Sequence, residues 1–264
     1  MQPSFFIPHG GGPCFFMEWT PPDTWKGMEA FLAGFLDTLE ERPKAILLLT
    51  AHWEAGEITL STNPAPELLF DYYGFPPHTY QLTWPAPGAP DLARRAAGLL
   101  AEAGIASAFD SARGYDHGVF VPMKVAHPAA DIPVAMMSLR QDLDPQHHFK
   151  AGAALAPLRD QGVLIIGSGM SYHNMNGFRA PGIAEDRAST AFDTWLTKVV
   201  EGPPDERGSA LAQWTKAPGA RASHPREEHL APVFLAAGAA GGSPGKRVWG
   251  GSINGLAISA YRFG

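Results

Sequence analysis

Five histidines, His9, His52, His117, His173 and His229, each sit where a strand-like run ends or a helix begins. Their contexts are PHGGGP (Pro8 to Pro13), LLLTAHW (Leu47 to Trp53), YDHG (Tyr115 to Gly118), IIGSGMSYHN (Ile165 to Asn174) and HPREEH (His224 to His229). Neutral imidazole suits iron, zinc, copper and nickel. Histidines spread over the whole chain predict one metal site assembled by the fold, rather than a local finger. Three protein ligands with open positions describe a catalytic metal. A surplus of histidines leaves one or two for proton transfer near neutral pH.

Each has an ordinary reading beside this one. His9 before Gly10-Gly11-Gly12 fits a turn, His52 a hydrogen-bonded strand end beside a core Trp53, and His117 a turn in Asp116-His117-Gly118. His173 follows Gly167-Ser168-Gly169, read as a flexible loop that brings backbone close to something. In HPREEH, Pro225 suits the first residue of a helix and Glu227 a capping-box acid. Leu230, Val233, Phe234 and Ala237 then form one apolar face. On that phase His229 borders the core as a candidate ligand, and Glu228 points to the solvent side. His147 and His148 are expected to be solvated on an amphipathic helix, and His127 to lie in a surface turn. His78 sits in a loop that has room to line a pocket. The chain contains no HExxH or HxxEH zinc-peptidase motif, GxSxG elbow, Walker loop or GxGxxG fingerprint.

The elements that must position these side chains alternate. Ser4 to Pro8, Lys44 to Ala51, Ile132 to Leu139 and Gly162 to Gly167 are apolar runs without period-two alternation, the pattern of strands buried on both faces of a parallel sheet. Helical patterns run over Thr24 to Leu39, with Asp23 as a candidate cap, then Pro90 to Ala103, Pro145 to Arg159 and Ala184 to Val200. A last strand, about Gly255 to Arg262, is expected at an edge. The stretches Asn63 to Pro90 and Gly202 to Pro225 read as long functional loops. The expected architecture is a single-domain α/β sandwich over residues 1–264, with a mostly parallel central sheet and helices on both faces. In such sheets ligands bind at the carboxyl ends of strands. His9, His52 and His173 each follow a predicted strand and therefore meet at one edge.

Composition narrows the function classes. Hydrophobic residues make up 45% and charged residues 17%, as in a soluble globular protein. With 20 basic and 26 acidic side chains and no basic stripe, nucleic-acid binding has no support. Cys14 is the only cysteine, which excludes an internal disulfide and a thiolate-rich zinc site. No apolar run reaches the roughly 20 residues of a membrane span. The N-terminus lacks a signal-peptide pattern, so the expected location is cytoplasmic. Oligomeric state, including a homo-oligomer, stays open.

Taken together, FFIPHGGGP, AILLLTAHW, FDYYGFP, WPAPG, YDHGVFVPMK, ADIPVAMMSL, LIIGSGMSYHNM and HPREEHLAPVFLAAGAA resemble, in order and nearly end to end, the class III extradiol ring-cleavage dioxygenases. The likeness is to their DOPA-4,5-dioxygenase-like, LigB-type branch. The resemblance implies a mononuclear non-haem Fe(II) enzyme that opens a substituted catechol with O₂ to a muconic semialdehyde-type product. Carried over by motif, it implies His9, His52 and His229 as metal ligands, with Glu228 as the alternative third. It implies His173 as acid/base and His117 beside the substrate and oxygen. Zinc in the purified protein is compatible with the same ligands. The residues alone leave two rivals open: a zinc-dependent hydrolase on the same scaffold, and a non-catalytic binder of an aromatic ligand.

Overall fold

The apolar runs become the strands of one mixed sheet. The computed structural model describes residues 1–180 and 182–264. Its strands are β1 (Ser4–Pro8), β2 (Ala45–Ala55), β3 (Ile58–Ser61), β4 (Ser107–Asp110), β5 (Val134–Arg140), β6 (Val163–Gly169), β7 (Gly245–Ile253) and β8 (Leu256–Phe263), in the order β4-β3-β5-β2-β6-β1-β8-β7. The central four, β5-β2-β6-β1, are mutually parallel. Towards one edge β3 turns antiparallel to β5; towards the other, β8 runs antiparallel to β1 and β7 to β8.

The absence of alternation in the central strands has a direct cause. Phe5 and Ile7 of β1, Ile46 and Leu48 of β2, and Leu164 and Ile166 of β6 enter one core, with helices Lys26–Phe35 and His117–Ala126. Phe6, Leu47, Leu49 and Ile165 enter the other, with helices Pro90–Glu102, Pro145–Leu155, Ile183–Glu201 and Ala231–Ala239. Both faces are buried, so both need apolar residues. The expected α/β sandwich therefore forms, with helices on both faces. Among the described residues no helix is long and apolar enough to cross a membrane.

Several expectations change. The last strand, β8, is interior because β7 covers it; the mostly exposed β7 is the edge. Gly202 to Pro225 is largely helical, with Pro204–Ala212 and Ala220–Ser223. Asp23 does not cap the first helix, whose N-cap is Trp25 without a side-chain bond. Gly167-Ser168-Gly169 is not a loop; it is the buried end of β6. The helix expected from Pro225 begins only at Ala231, with Pro232 in its first turn. All nine of its residues are buried. It lies close on Pro145–Leu155 because Gly152 and Gly238 have no Cβ to meet the facing backbone: one there would stand 2.1 Å from Leu235 O and 2.0 Å from Phe149 O, respectively.

His148, expected in solvent, is fully buried. Its Nδ1–H donates to Asp144 O at 2.8 Å and its Nε2 accepts the Arg140 amide at 3.2 Å. Burial lowers His148 to about 4 and the equally buried His224 to about 3. Both rings therefore stay neutral in the fold, while in the unfolded chain they titrate near the ordinary value of about 6.5. Below that pH the unfolded chain binds protons that the fold refuses. Stability is therefore complete above about pH 6.5 and falls on acidification by about 1.4 kcal/mol per pH unit for each ring, until the folded values are reached. Urea midpoints of the metal-free protein should drop clearly from pH 7 to pH 5, and less so in His148→Gln. A midpoint unchanged over that range would contradict the burial argument.

Candidate metal centre and the histidines around it

The carboxyl ends of β1, β2 and β6 lie side by side and point the same way. His9 follows β1 directly, its amide bonded to Gly169 O at 3.2 Å. His52 lies within β2, not after it. Pairing with β5 is interrupted between Leu49 and Glu54, and His52 sits in that interruption. Its amide donates to Thr50 Oγ1 at 3.2 Å, and Thr50 donates to the buried Asp116 at 2.7 Å. Arg113 Nη2 joins the same group, donating to Asp116 Oδ2 at 3.0 Å and His52 O at 3.1 Å. His229 is held from β6: Met170 N donates to His229 O at 2.9 Å.

These three side chains converge. His52 Nε2 is 3.1 Å from His9 Nε2 and 3.3 Å from His229 Nε2. His9 and His229 are 1% and 5% exposed. Burial, and then the neighbouring imidazoles, push both well below the ordinary histidine range, so they are neutral at pH 7.

The tautomers follow from the outer partners. Ser168 Oγ gives its only hydrogen to Gly118 O, so towards His9 Nδ1, 3.2 Å away, it can only accept. His229 Nδ1 faces Glu228 Oε1 at 2.9 Å, an acceptor. His52 Nδ1 faces Asp71 Oδ2 at 3.7 Å. The 3.7 Å contact is too long for a hydrogen bond, but with the protons of His9 and His229 on Nδ1 both of their Nε2 lone pairs face His52 Nε2, and a hydrogen there could serve only one of them. A cation between them resolves the conflict. Metal–nitrogen bonds of about 2.0–2.1 Å place neighbouring ligand nitrogens about 3.0–3.4 Å apart, which the separations of His52 Nε2 from His9 Nε2 and from His229 Nε2 match. The donor set fits a metal, with its Nδ1–H groups tied outward as such sites require.

His117 and His173 flank the trio. His117 is not in a loose turn; it opens helix His117–Ala126, 7% exposed, with its ring centroid 3.9 Å from that of His52. His173 lies beyond β6, its amide on Ser223 O at 2.9 Å. Its ring stacks on His229 at 3.4 Å between centroids and 14° between planes, and its side chain is 22% exposed. The five histidines singled out in the sequence thus come together at one sheet edge, and the other five do not. Among the latter, His224 is buried with its Nε2 on Ser171 O at 2.9 Å, His127 is paired to Asp131, and His78 is on the surface. A cleft of about 780 Å³ between helix Lys26–Phe35 and β7 is lined by none of the five.

Of two carboxylates at the site, the sequence reading names Glu228 but turns it to solvent, and does not single out Asp71. Glu228 is not solvated: Pro225–Leu230 is an irregular turn, so the helical phase that sent it outward does not apply. Its Oε1 lies 2.9 Å from His229 Nδ1 and 3.1 Å from His173 Nδ1. Asp71, in FDYYGFP, reaches His117 at 2.8 Å. Its loop is pinned by Leu69 N to Tyr115 O and Tyr115 N to Glu67 O, at 2.7 and 2.8 Å. The only signal in the sequence was an acid inside a motif already noted.

Residues 4–262 match the family model described as the catalytic LigB subunit of aromatic ring-opening dioxygenase. The chain belongs to the LigB family. It is similar to a 4,5-DOPA dioxygenase extradiol of Beta vulgaris, 38% identical over 275 residues, covering 100% of this chain and 97% of the relative. It also matches the dioxygenase tasH of Hapsidospora irregularis, 39% identical over 243 residues, covering 87% and 74%. The crystal structure of an uncharacterized protein from Escherichia coli K12 has the same fold, with a TM-score of 0.76 at 27% identity over all of both chains. As a LigB member the chain is a metal-binding enzyme, an aromatic ring-cleavage dioxygenase.

A glycine sets how closely this LigB site is built. A Cβ on Gly169 would stand 2.2 Å from His229 O and 3.1 Å from Phe6. Gly169→Ala should push the His229 turn off β6, costing about 1–3 kcal/mol of stability. Metal affinity should fall at least about tenfold. Equilibrium unfolding and a chelator competition measure the two effects; normal metal affinity in this variant would show that the turn has room to move.

Proposed function

We propose that residues 1–264 form one catalytic domain that performs extradiol cleavage of a substituted catechol, DOPA-like or related, with O₂ at a mononuclear non-haem Fe(II) centre, giving a muconic semialdehyde-type product. In this reading His9, His52 and His229 hold the metal through Nε2. The observation that carries it is the trio of converging Nε2 atoms, with that of His52 3.1 and 3.3 Å from the other two, beside two further histidines that hold no place in the trio. A binder of aromatic ligands needs no such pair of proton-handling groups. The bound metal supplies Lewis acidity towards both catechol oxygens and a redox-active partner for O₂.

The protein's own groups do the rest. Burial keeps His9 and His229 neutral, so their lone pairs are available at pH 7. His173 has its Nδ1 committed to Glu228, so Nε2 is the atom that accepts a catechol hydroxyl proton and later returns it. His117 likewise turns Nε2 inward, beside substrate and oxygen, to orient them by hydrogen bonding. The partners are a small-molecule catechol and O₂, with neither nucleic acid nor membrane involved, and the location is cytoplasmic. Zinc fits the same nitrogens, so the metal found on purification and the metal that supports turnover are separate measurements.

Anaerobic reconstitution with Fe(II), then a catechol panel followed by O₂ uptake and near-visible absorbance, tests the reading. Iron-dependent uptake with a yellow product is expected. Zinc-supported hydrolysis without O₂ would replace the dioxygenase reading with the hydrolase.

A further inference from the structure

All five rings have an oxygen near Nδ1, yet only three belong to the trio. The oxygens come from Ser168 and from two carboxylates, Asp71 and Glu228, that stand outside it. Each carboxylate faces one ring of the trio and one flanking ring: Asp71 faces His52 and His117, Glu228 faces His229 and His173.

We propose that Asp71 and Glu228 are positioning residues that commit His117 and His173 to the Nδ1–H tautomer, so that both flanking rings turn a proton-free Nε2 towards the space the trio faces. The assignment of proton transfer to these rings rests on the ring-cleavage reading; the tautomers themselves do not.

Asp71 grips one residue twice. Its Oδ1 accepts the backbone N–H of His117 at 2.9 Å and the ring Nδ1–H at 2.8 Å. The first bond satisfies an amide at the start of helix His117–Ala126, where no residue of the helix can. The second sets the ring by the same oxygen, so ring and backbone share one anchor.

Glu228 works through stacking. The His173 and His229 rings lie face to face with their Nδ1 atoms on the same oxygen, so their Nε2 edges lie on the same side. Glu228 is itself held. Arg226 Nη1 stands 3.5 Å from Oε2, and both Arg226 amino groups bind Glu54 at 2.5 and 2.6 Å. Glu54 is the residue at which β2 rejoins β5, so the arrangement is tied to the strand that carries His52. Without a carboxylate at Nδ1 either ring is free to carry its proton on Nε2, where it can only donate. A base would then be lost without any atom of the metal site being removed.

Long-range ¹H–¹⁵N spectra of the histidine-labelled full chain, metal-free and loaded with Zn(II), read the tautomers directly, with His117→Gln and His173→Gln as assignments. Both rings should show Nδ1–H in the parent protein. Of the two flanking rings, Asp71→Ala should release only His117 and Glu228→Ala only His173. Asp71→Asn should keep His117 as Nδ1–H, because the backbone donor demands an oxygen at that place and the ring meets the same oxygen. With Fe(II) and a catechol that is turned over, kcat should fall about 10²-fold in Asp71→Ala, with KM little changed, and recover largely in Asp71→Asn. Nε2–H on either ring of the parent, or tautomers unmoved in the alanine variants, would overturn the proposal. Tautomers that behave as stated in a protein that opens no catechol would uphold the positioning and sink the ring-cleavage reading.

Discussion

His229→Ala should leave a protein that no longer retains metal through dialysis, whereas Glu228→Ala should retain it. The two residues are adjacent and their side chains touch at 2.9 Å, so their separation rests on which atoms face inward. His229 Nε2 lies 3.3 Å from His52 Nε2, among the converging nitrogens. Glu228 meets the opposite nitrogen of that ring and a second ring, His173, behind it. Removing an outer partner of this kind costs about 10–100-fold in metal affinity. Removing one nitrogen of three leaves a two-histidine site and costs far more. Metal content after dialysis, followed by chelator competition, ranks the variants. The reverse order would make Glu228 the third ligand and His229 its support. Because His229→Ala also opens space against β6, its unfolding midpoint without metal should be compared with that of the parent, which separates loss of ligand from loss of fold.

What the sequence could show of this arrangement follows from range. Strands β1, β2, β5 and β6 are legible because burial on both faces makes them continuous apolar runs. Four-residue β3 and β4 carry too few residues for a period, and β4 is never fully buried. In β7 the exposed Lys246, Arg247 and Val248 and three glycines leave no apolar pattern. Histidines announce themselves by type and by position at strand ends. The acceptors that orient them do not. Asp71 and His117 are 46 residues apart and meet only because the loop is pinned to Tyr115. Glu228 was misplaced because a periodicity valid from Ala231 onward was extended back across a turn. The glycines on both sides of Ser168 read as loop flexibility in the sequence, where in the fold they serve close packing.

His173→Ala should keep the metal and lose turnover. The ring contributes none of the converging nitrogens, and His229, on which it stacks, retains its own bond to Glu228. Metal content should therefore stay near that of the parent. The substrate proton, by contrast, loses its acceptor. A positioned acid/base group is worth about 10²–10⁴-fold in rate, so kcat should fall by that much with Fe(II) bound. Water is the first alternative, because His173 is the more open of the two flanking rings, its side chain 22% exposed against 9% for His117. An added imidazole that fits the vacated space should then restore part of the rate, with a dependence on its concentration that the parent enzyme does not show. His173→Gln separates orientation from proton transfer, since it can hydrogen-bond a catechol hydroxyl but cannot take its proton. If its rate lies near that of the parent, His173 only orients the substrate, and the base must be sought at His117.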